Sequence, residues 1–240
     1  MQPTFGVDWY LLTFAGYREP ERNTSMAGAF DFKKEYKDLY LPKTVPVVID
    51  VPEMLFIAVD GKGNPNTCEA YKNALETLYG LSYSIKMSKM GAAKPDGYFE
   101  YVVPPLEGLW WGEDEYFDGK SIVDKDKLCW TSLIRQPDFV TQEVFETAKQ
   151  VLGKKKPQLD LSRARLVSFA EGMCAQIMHI GSYDDEPATI EILEQFIVES
   201  GYRNDISDTR KHHEIYLGDP RKTAPEKLKT VIRHPVARVC

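Results

Sequence analysis

KLKTVIRHP, residues 227–235, begins and ends on the same residues as KLCWTSLIRQP, residues 127–137. Each opens Lys-Leu, and each closes Ile-Arg-x-Pro, as Ile134-Arg135-Gln136-Pro137 and Ile232-Arg233-His234-Pro235. Both read as strands. A likeness of this kind far apart in one chain suggests two copies of one unit, and the elements that precede each copy decide the matter.

Before the first copy, residues 47–59 (VVIDVPEMLFIAV) are rich in β-branched and aromatic side chains, and the Asp60–Pro65 cluster stops them. Asn66 with Glu69 then forms a capping signature, and Tyr71, Leu75, Leu78, Tyr79 and Tyr83 recur at helical spacing. A strand over Tyr98–Val103 continuing to Trp111 leads to the strand Leu128–Arg135. Before the second copy, Met173–Ile180 is a strand and Gly181–Asp185 a loop. Pro187 takes a first-turn position, and Ile190, Leu193 and Ile197 describe an amphipathic helix closed by Gly201. Strands over His212–Leu217 and Leu228–Arg233 follow. Between the halves, Thr141–Leu152 reads as a connecting helix ended by Gly153.

The order strand, helix, strand, strand therefore occurs twice. The fold class expected is α+β, with tandem duplicated strand-helix-strand-strand modules spanning about 45–138 and 165–240 and a linker helix at 141–152. One helix covers one face of a three-stranded sheet, so each module needs a partner for the other face. A ligand cleft is expected between the two sheets. Residues 1–44 form an N-terminal extension, of which 1–25 read as lying upstream of a start at Met26.

Composition narrows the function. Apolar residues at 43% and charged residues at 28% are ordinary for a globular chain. The net charge of -6 and the lack of a long basic stripe argue against nucleic acid; Lys154–Lys156 is read as complementing a helix end. No apolar run approaches the ~20 residues needed to span a bilayer, so no membrane association is expected. The four cysteines, Cys68, Cys129, Cys174 and Cys240, form no CxxC pair, which fits a reducing cytoplasm.

Familiar catalytic patterns are missing. Gly61-x-Gly63 lacks the third glycine of a dinucleotide fingerprint, and no HExxH or other metal spacing joins the histidines. Ser182 follows a glycine but has none two residues on, unlike a nucleophile elbow. No metal and no cofactor is expected.

What remains is acid beside aromatic surface, in two places. In PPLEGLWW, residues 104–111, alternation puts Glu107, Leu109 and Trp111 on one face and Trp110 on the other. In HHEIYL, residues 212–217, it puts His212, Glu214 and Tyr216 on one face and Ile215 and Leu217 on the other. From alternation alone, either set reads as sheet packing with a solvated carboxylate or as the wall of a pocket for a flat ligand.

PPLEGLWW, HIGSYDDEP and RKHHEIYLGDPRK, in that order and separated by helices, resemble the GyrI-like (gyrase-inhibitor-like) small-molecule-binding family, specifically its stand-alone members. The likeness runs from about Phe30 to Val236. It implies tandem modules with a pocket between them, and an acid on the strand after the second helix, matching Glu214, that faces an aromatic pocket. Glu107, Trp110 and Trp111 match the first-half strand, and Tyr183 stands where the family's Gly-Pro-Tyr loop places its tyrosine. Many members carry an N-terminal helix-turn-helix. The residues before the first module contain no helix pair, so a DNA-binding regulator is not expected.

The resemblance implies two functions. Stand-alone relatives hydrolyse electrophilic cyclopropanes fused to dienones. That chemistry suits one carboxyl group as acid and another orienting water, and Glu214 and Glu107 are the expected pair. Trp110, Trp111, Tyr183, Tyr216 and His212 would line the pocket. The alternative is a module that sequesters or senses small aromatic or cationic ligands without turnover.

Overall fold

The computed structural model describes residues 28–239 except 91–93, 114, 118, 120 and 121, so segment 1–25 lies outside the described residues. Among the described residues there are seven strands: β1 (Val47–Lys62), β2 (Leu106–Trp111), β3 (Cys129–Arg135), β4 (Arg165–Ile180), β5 (Tyr202–Asn204), β6 (His212–Tyr216) and β7 (Lys229–Arg238). Six of them form a closed antiparallel barrel. β1 pairs with β3 and β3 with β2; β4 pairs with β7 and β7 with β6; β1–β4 and β2–β6 join the halves. β5 extends β7 at Val236–Arg238.

Each half thus uses the same internal pairing, as the repeated Ile-Arg-x-Pro endings suggested. The expected cleft between two sheets is not what forms. Each half leaves two strand edges with free backbone groups, and pairing edge to edge satisfies both at once. The space between the halves becomes a continuous wall with an inside and an outside.

Helices α3 (Glu69–Met87) and α5 (Glu186–Glu199) cover the outside, one per half. Tyr71 of α3 packs on Trp110 and Trp130 at 5.9 and 5.0 Å between ring centres. Ile190, Leu193 and Ile197 of α5 pack on Ala175, Ile177 and Ile232. Pro187 lies in the first turn of α5, and Gly201 follows its end at φ 77°. The linker helix α4 runs from Gln142 to Lys155, with the Thr141 side chain capping it by accepting from Val144 N–H at 3.3 Å. Gly153 lies inside α4 rather than ending it. Asn66 does not cap α3, which starts at Glu69 behind Cys68. Strand β2 starts at Leu106, not Tyr98, because Pro104 and Pro105 offer no N–H to a ladder.

The segment before β1 differs from expectation too. Two single helical turns, α1 (Phe32–Glu35) and α2 (Lys37–Tyr40), bury Phe32, Tyr36, Leu39 and Tyr40 against the inner face of the wall. Inward-pointing arginines hold them. The Arg135 guanidinium lies 4.8 Å from the Phe32 ring centre and 4.3 Å from that of Tyr36, and Arg233 donates to the Leu39 carbonyl at 2.8 Å. These turns are far too short to be recognition helices. No helix among the described residues is long and apolar enough to cross a membrane.

Candidate functional site

Paired residues on neighbouring strands share a face, so the register sorts the wall into inside and outside. Leu106, Gly108 and Trp110 of β2 pair with Tyr216, Glu214 and His212 of β6, and this set faces the helices. Glu107 pairs with Ile215 and Leu109 with His213, and this set faces inward. Glu107 and Glu214 therefore stand on opposite sides of one wall.

The inner side is a closed ion-pair network. Glu107 is 1% exposed and sits 3.0 Å from His213 Nε2, with the Tyr40 hydroxyl donating to it at 3.3 Å. His213 Nδ1 lies 2.9 Å from Glu171, and Arg233 donates to the same carboxylate at 2.6 Å and to Gln176 at 3.0 Å. Glu171 and Gln176 are five apart on β4, yet both face inward. Strict alternation forbids that, and Gly172 between them, at φ 65°, departs from extended backbone while the pairing with β1 keeps its register. Burial opposes ionisation of Glu171, but His213 and Arg233 overcome it and hold the carboxyl down at about 2. For His213 burial likewise opposes charge, and Glu171 and Glu107 outweigh it, raising the ring to about 9.

On the outer side, β2 and β6 turn Glu214 and its neighbours toward Tyr71 of α3 and toward Tyr183 and Glu186 at the start of α5, and the space over them is the candidate groove. Glu214 accepts from the Tyr216 hydroxyl at 2.7 Å, and Tyr216 in turn accepts from the Trp110 indole N–H at 2.9 Å. His212 Nε2 lies 2.9 Å from the other Glu214 oxygen. A Cβ on Gly108 would come within 2.6 Å of the Trp110 Nε1, so only glycine lets this indole fold back toward Tyr216. The Tyr183 ring meets Tyr216 edge-on at 5.7 Å.

Glu186, at the start of α5, is 6% exposed. Burial, with Glu214 as the next cause, pushes its carboxyl well above the ordinary range. Tyr216 is raised by burial and then by Glu214, and Tyr183 is raised to about 12 by burial, Glu186 and Glu214. Acids and phenols crowd this groove, whereas each acid inside the barrel meets a cation. A perturbed acid gathered with perturbed phenols is the electrostatic mark of a candidate functional site.

The structure thus brings Glu214, Tyr216, His212, Trp110 and Tyr183 together and leaves Glu107 out. Trp111 points away from the groove, as alternation required. It borders a cavity of about 540 Å³ at the end of the barrel, with Trp110, Phe117, Ile206 and Lys211, whose ammonium lies 5.1 Å from the Trp111 ring centre. Sequence reasoning missed Glu186, Tyr71 and His234. Glu186 precedes a helix-starting proline, where an acid normally serves the helix dipole, and Tyr71 read as core. Among the described residues, no group of three or more His, Cys, Asp or Glu is arranged to hold a metal ion.

A family model described as the GyrI-like small molecule binding domain matches residues 44–237. Among solved structures, a Listeria innocua protein described as a hydrolase is 51% identical, covering 87% of this chain and all of its own, with a TM-score of 0.79. A second Listeria innocua protein, also described as a hydrolase, is 53% identical over 88% of this chain and all of its own, with a TM-score of 0.80. An uncharacterized conserved protein from Listeria innocua is 53% identical over 87% and 100% of the two chains, with a TM-score of 0.82. No curated protein matches the chain.

Proposed function

We propose, starting from the fact that this chain belongs to the GyrI-like small molecule binding domain family, that it hydrolyses strained electrophilic rings of the cyclopropyl-dienone type in the groove over Glu214. The observation that carries the reading is a pair of carboxyl groups in one aromatic groove: Glu186, which burial pushes toward its protonated form, and Glu214, which Tyr216 orients. The relatives described as hydrolases support a hydrolytic step.

The chemistry needs one proton donor and one acceptor. Water attacks the strained methylene carbon, the ring C–C bond breaks, and its electron pair flows into the dienone, which becomes a phenol. Glu186 gives its proton to the former carbonyl oxygen, and Glu214, as a carboxylate, takes one from the attacking water. Water is consumed and no oxidant is required. Tyr71, Trp110, Tyr183 and Tyr216 offer flat surfaces on which the substrate stacks. Glu186 takes the place expected of Glu107, which the barrel wall separates from this groove.

The same aromatic faces beside a carboxylate also suit a flat cation, by charge pairing and cation–π attraction, and this supports binding without turnover as the second reading. One experiment separates them. With a cyclopropyl-dienone compound and the purified protein, the wild type forms the ring-opened phenol and Glu214→Gln forms it roughly 10²–10⁴ times more slowly. Glu107→Gln, compared at equal folded fraction, turns over like the wild type. Full turnover by Glu214→Gln overturns the assignment, and no phenol from any of them leaves the binding reading.

A further inference from the structure

A second run of titratable groups leads away from Glu214, behind the groove and under α5. His212 Nε2 lies 2.9 Å from Glu214 Oε1, and His212 Nδ1 lies 2.7 Å from His234 Nε2. His234 Nδ1 lies 2.5 Å from Glu194 Oε1 on α5. Asn204 of β5 donates to the same Glu194 oxygen at 2.7 Å, and its amide nitrogen is 3.3 Å from His234 Nδ1. Both imidazoles are 1% exposed, whereas the Glu194 side chain is 30% exposed. The run is dry in the middle and meets solvent at its far end.

Its protons can be counted. Each of the three contacts joins two atoms that repel unless a proton lies between them, so three contacts need three protons. Two neutral imidazoles supply two. The third is an extra proton, carried by a carboxyl group at one end or by a ring between. Burial lowers His234 below the usual histidine value, which disfavours a cationic ring there.

Two arrangements then keep every contact intact. In one, Glu214 donates to His212 Nε2, His212 Nδ1–H donates to His234 Nε2, and His234 Nδ1–H donates to Glu194. In the other, Glu194 carries the carboxyl proton and all three donations run the opposite way. Passing between them moves three protons, each across one hydrogen bond. Only O–H and N–H bonds change, and no electron is transferred.

We propose that His212, His234 and Glu194 are positioning residues forming a proton relay that couples the charge of Glu214 at the groove to the charge of Glu194 on α5, at the solvent end of the run. The proposal rests on Glu214 being the reacting carboxylate. Glu214 faces Tyr216 on its own strand, Tyr71 on α3, and Tyr183 and Glu186 at the start of α5, while His212 faces the Phe117 ring and Glu194 faces Asn204. Tyr216 donates to the carboxylate at one end and Asn204 to that at the other, and each donor favours ionisation at its own end. The occupant of the groove tips this contest. A cation over Glu214 sends the proton toward Glu194; a carbonyl acceptor draws it back.

The test reads the histidine rings directly, without a ligand. Long-range ¹⁵N–¹H spectra of the full chain resolve the protonation of each ring nitrogen. In Glu194→Gln the His212 ring nitrogens shift, although His212 does not touch residue 194. Asn204→Leu, which keeps Glu194 but removes its donor, displaces them as well and serves if the first variant unfolds. His212 resonances that coincide with wild type in a folded variant overturn the relay. With the cyclopropyl-dienone compound, Glu194→Gln lowers kcat roughly 10- to 100-fold, by analogy with the loss of outer partners of metal-bound histidines, leaves KM unchanged and displaces the pH profile. An unchanged kcat and pH profile overturn the relay's part in turnover. If Glu214→Gln still turns over while His212 responds to residue 194, the assignment of Glu214 as the reacting carboxylate falls and the coupling stands.

Discussion

Strand β6 shows two ways of burying charge within five residues. On its inner face His213 links Glu107 and Glu171, and Arg233 completes a network in which every acid meets a base. On its outer face Glu214 sits between His212 and Tyr216, with Glu186 nearby, so that acid faces acid and phenol. The inner arrangement drives groups toward full charge, and the outer one drives Glu186 away from it. An interior that settles its charges adds nothing a substrate can use, whereas a groove that leaves a proton to be given has chemistry to do. The two glutamates of the sequence pattern divide along that line, Glu107 to structure and Glu214 to the proposed reaction.

The largest effect expected from this contrast is on stability. Arg233→Met keeps the length of the side chain but leaves Glu171 with one cationic partner in place of two, and it also empties the bond to the Leu39 carbonyl that holds α2. Breaking a buried pair by removing one partner costs about 3–5 kcal/mol. Chemical denaturation should show that loss, while ligand affinity of the molecules still folded stays at the wild-type value. A change below about 1 kcal/mol would mean the inner network is as loosely held as a surface pair.

The next effect is the pH dependence of stability. Glu171 titrates at about 2 folded against 4.5 for an ordinary glutamate, so its contribution is complete above about 4.5 and vanishes as pH falls through 2. His213 titrates at about 9 folded against 6.5, so its contribution is complete below about 6.5 and is lost as pH rises through 9. The inner network is therefore strongest between these limits. Denaturation midpoints should decline from about pH 6.5 toward pH 9 and fall again below about pH 4.5. Replacing His213 by Gln should flatten the alkaline limb, and an alkaline limb that survives the replacement assigns it to another group.

How far the sequence reveals this division depends on which interactions are periodic. The strand-helix-strand-strand order, the facing of His212 against His213 and that of Trp110 against Trp111 follow from alternation, which is local. Closure into a barrel does not, because edge pairing between halves leaves no mark on either strand alone. The placement of Glu107 was lost at a more specific point. Its likeness to Glu214 was one of composition, acid beside aromatic, but the register that pairs Gly108 with Glu214 makes Leu106 the neighbour of Tyr216 on the groove side. One residue along a strand is the opposite face. Glu186 and Glu194 come from α5 and His234 from β7, and nothing in their local spacing points to a common site.

The smallest effect, and the finest test of the contrast, lies with the two adjacent indoles. Trp110 belongs chiefly to the groove, where its N–H is bound to Tyr216 and its ring packs against Tyr71, although it also borders the barrel-end cavity. Trp111 belongs to the barrel end, beneath Lys211 and beside the cavity that Phe117 and Ile206 share with it. A flat ligand over Glu214 should stack near Trp110, and that contact is worth about 0.5–1.5 kcal/mol beyond area burial. Trp110→Phe keeps an aromatic face but loses the hydrogen bond that fixes Tyr216, so affinity for a planar aromatic probe should weaken by a factor of about 3 to 10. Trp111→Phe should leave affinity alone, and saturable quenching should persist in it because Trp110 remains the reporter. If Trp111→Phe alone weakens the probe, the ligand occupies the barrel-end cavity and the acids of the groove are not beside it. If neither substitution changes affinity or quenching, flat ligands do not bind against these indoles at all. The carboxyl pair would then have lost the surface that the proposed reaction needs to hold its substrate.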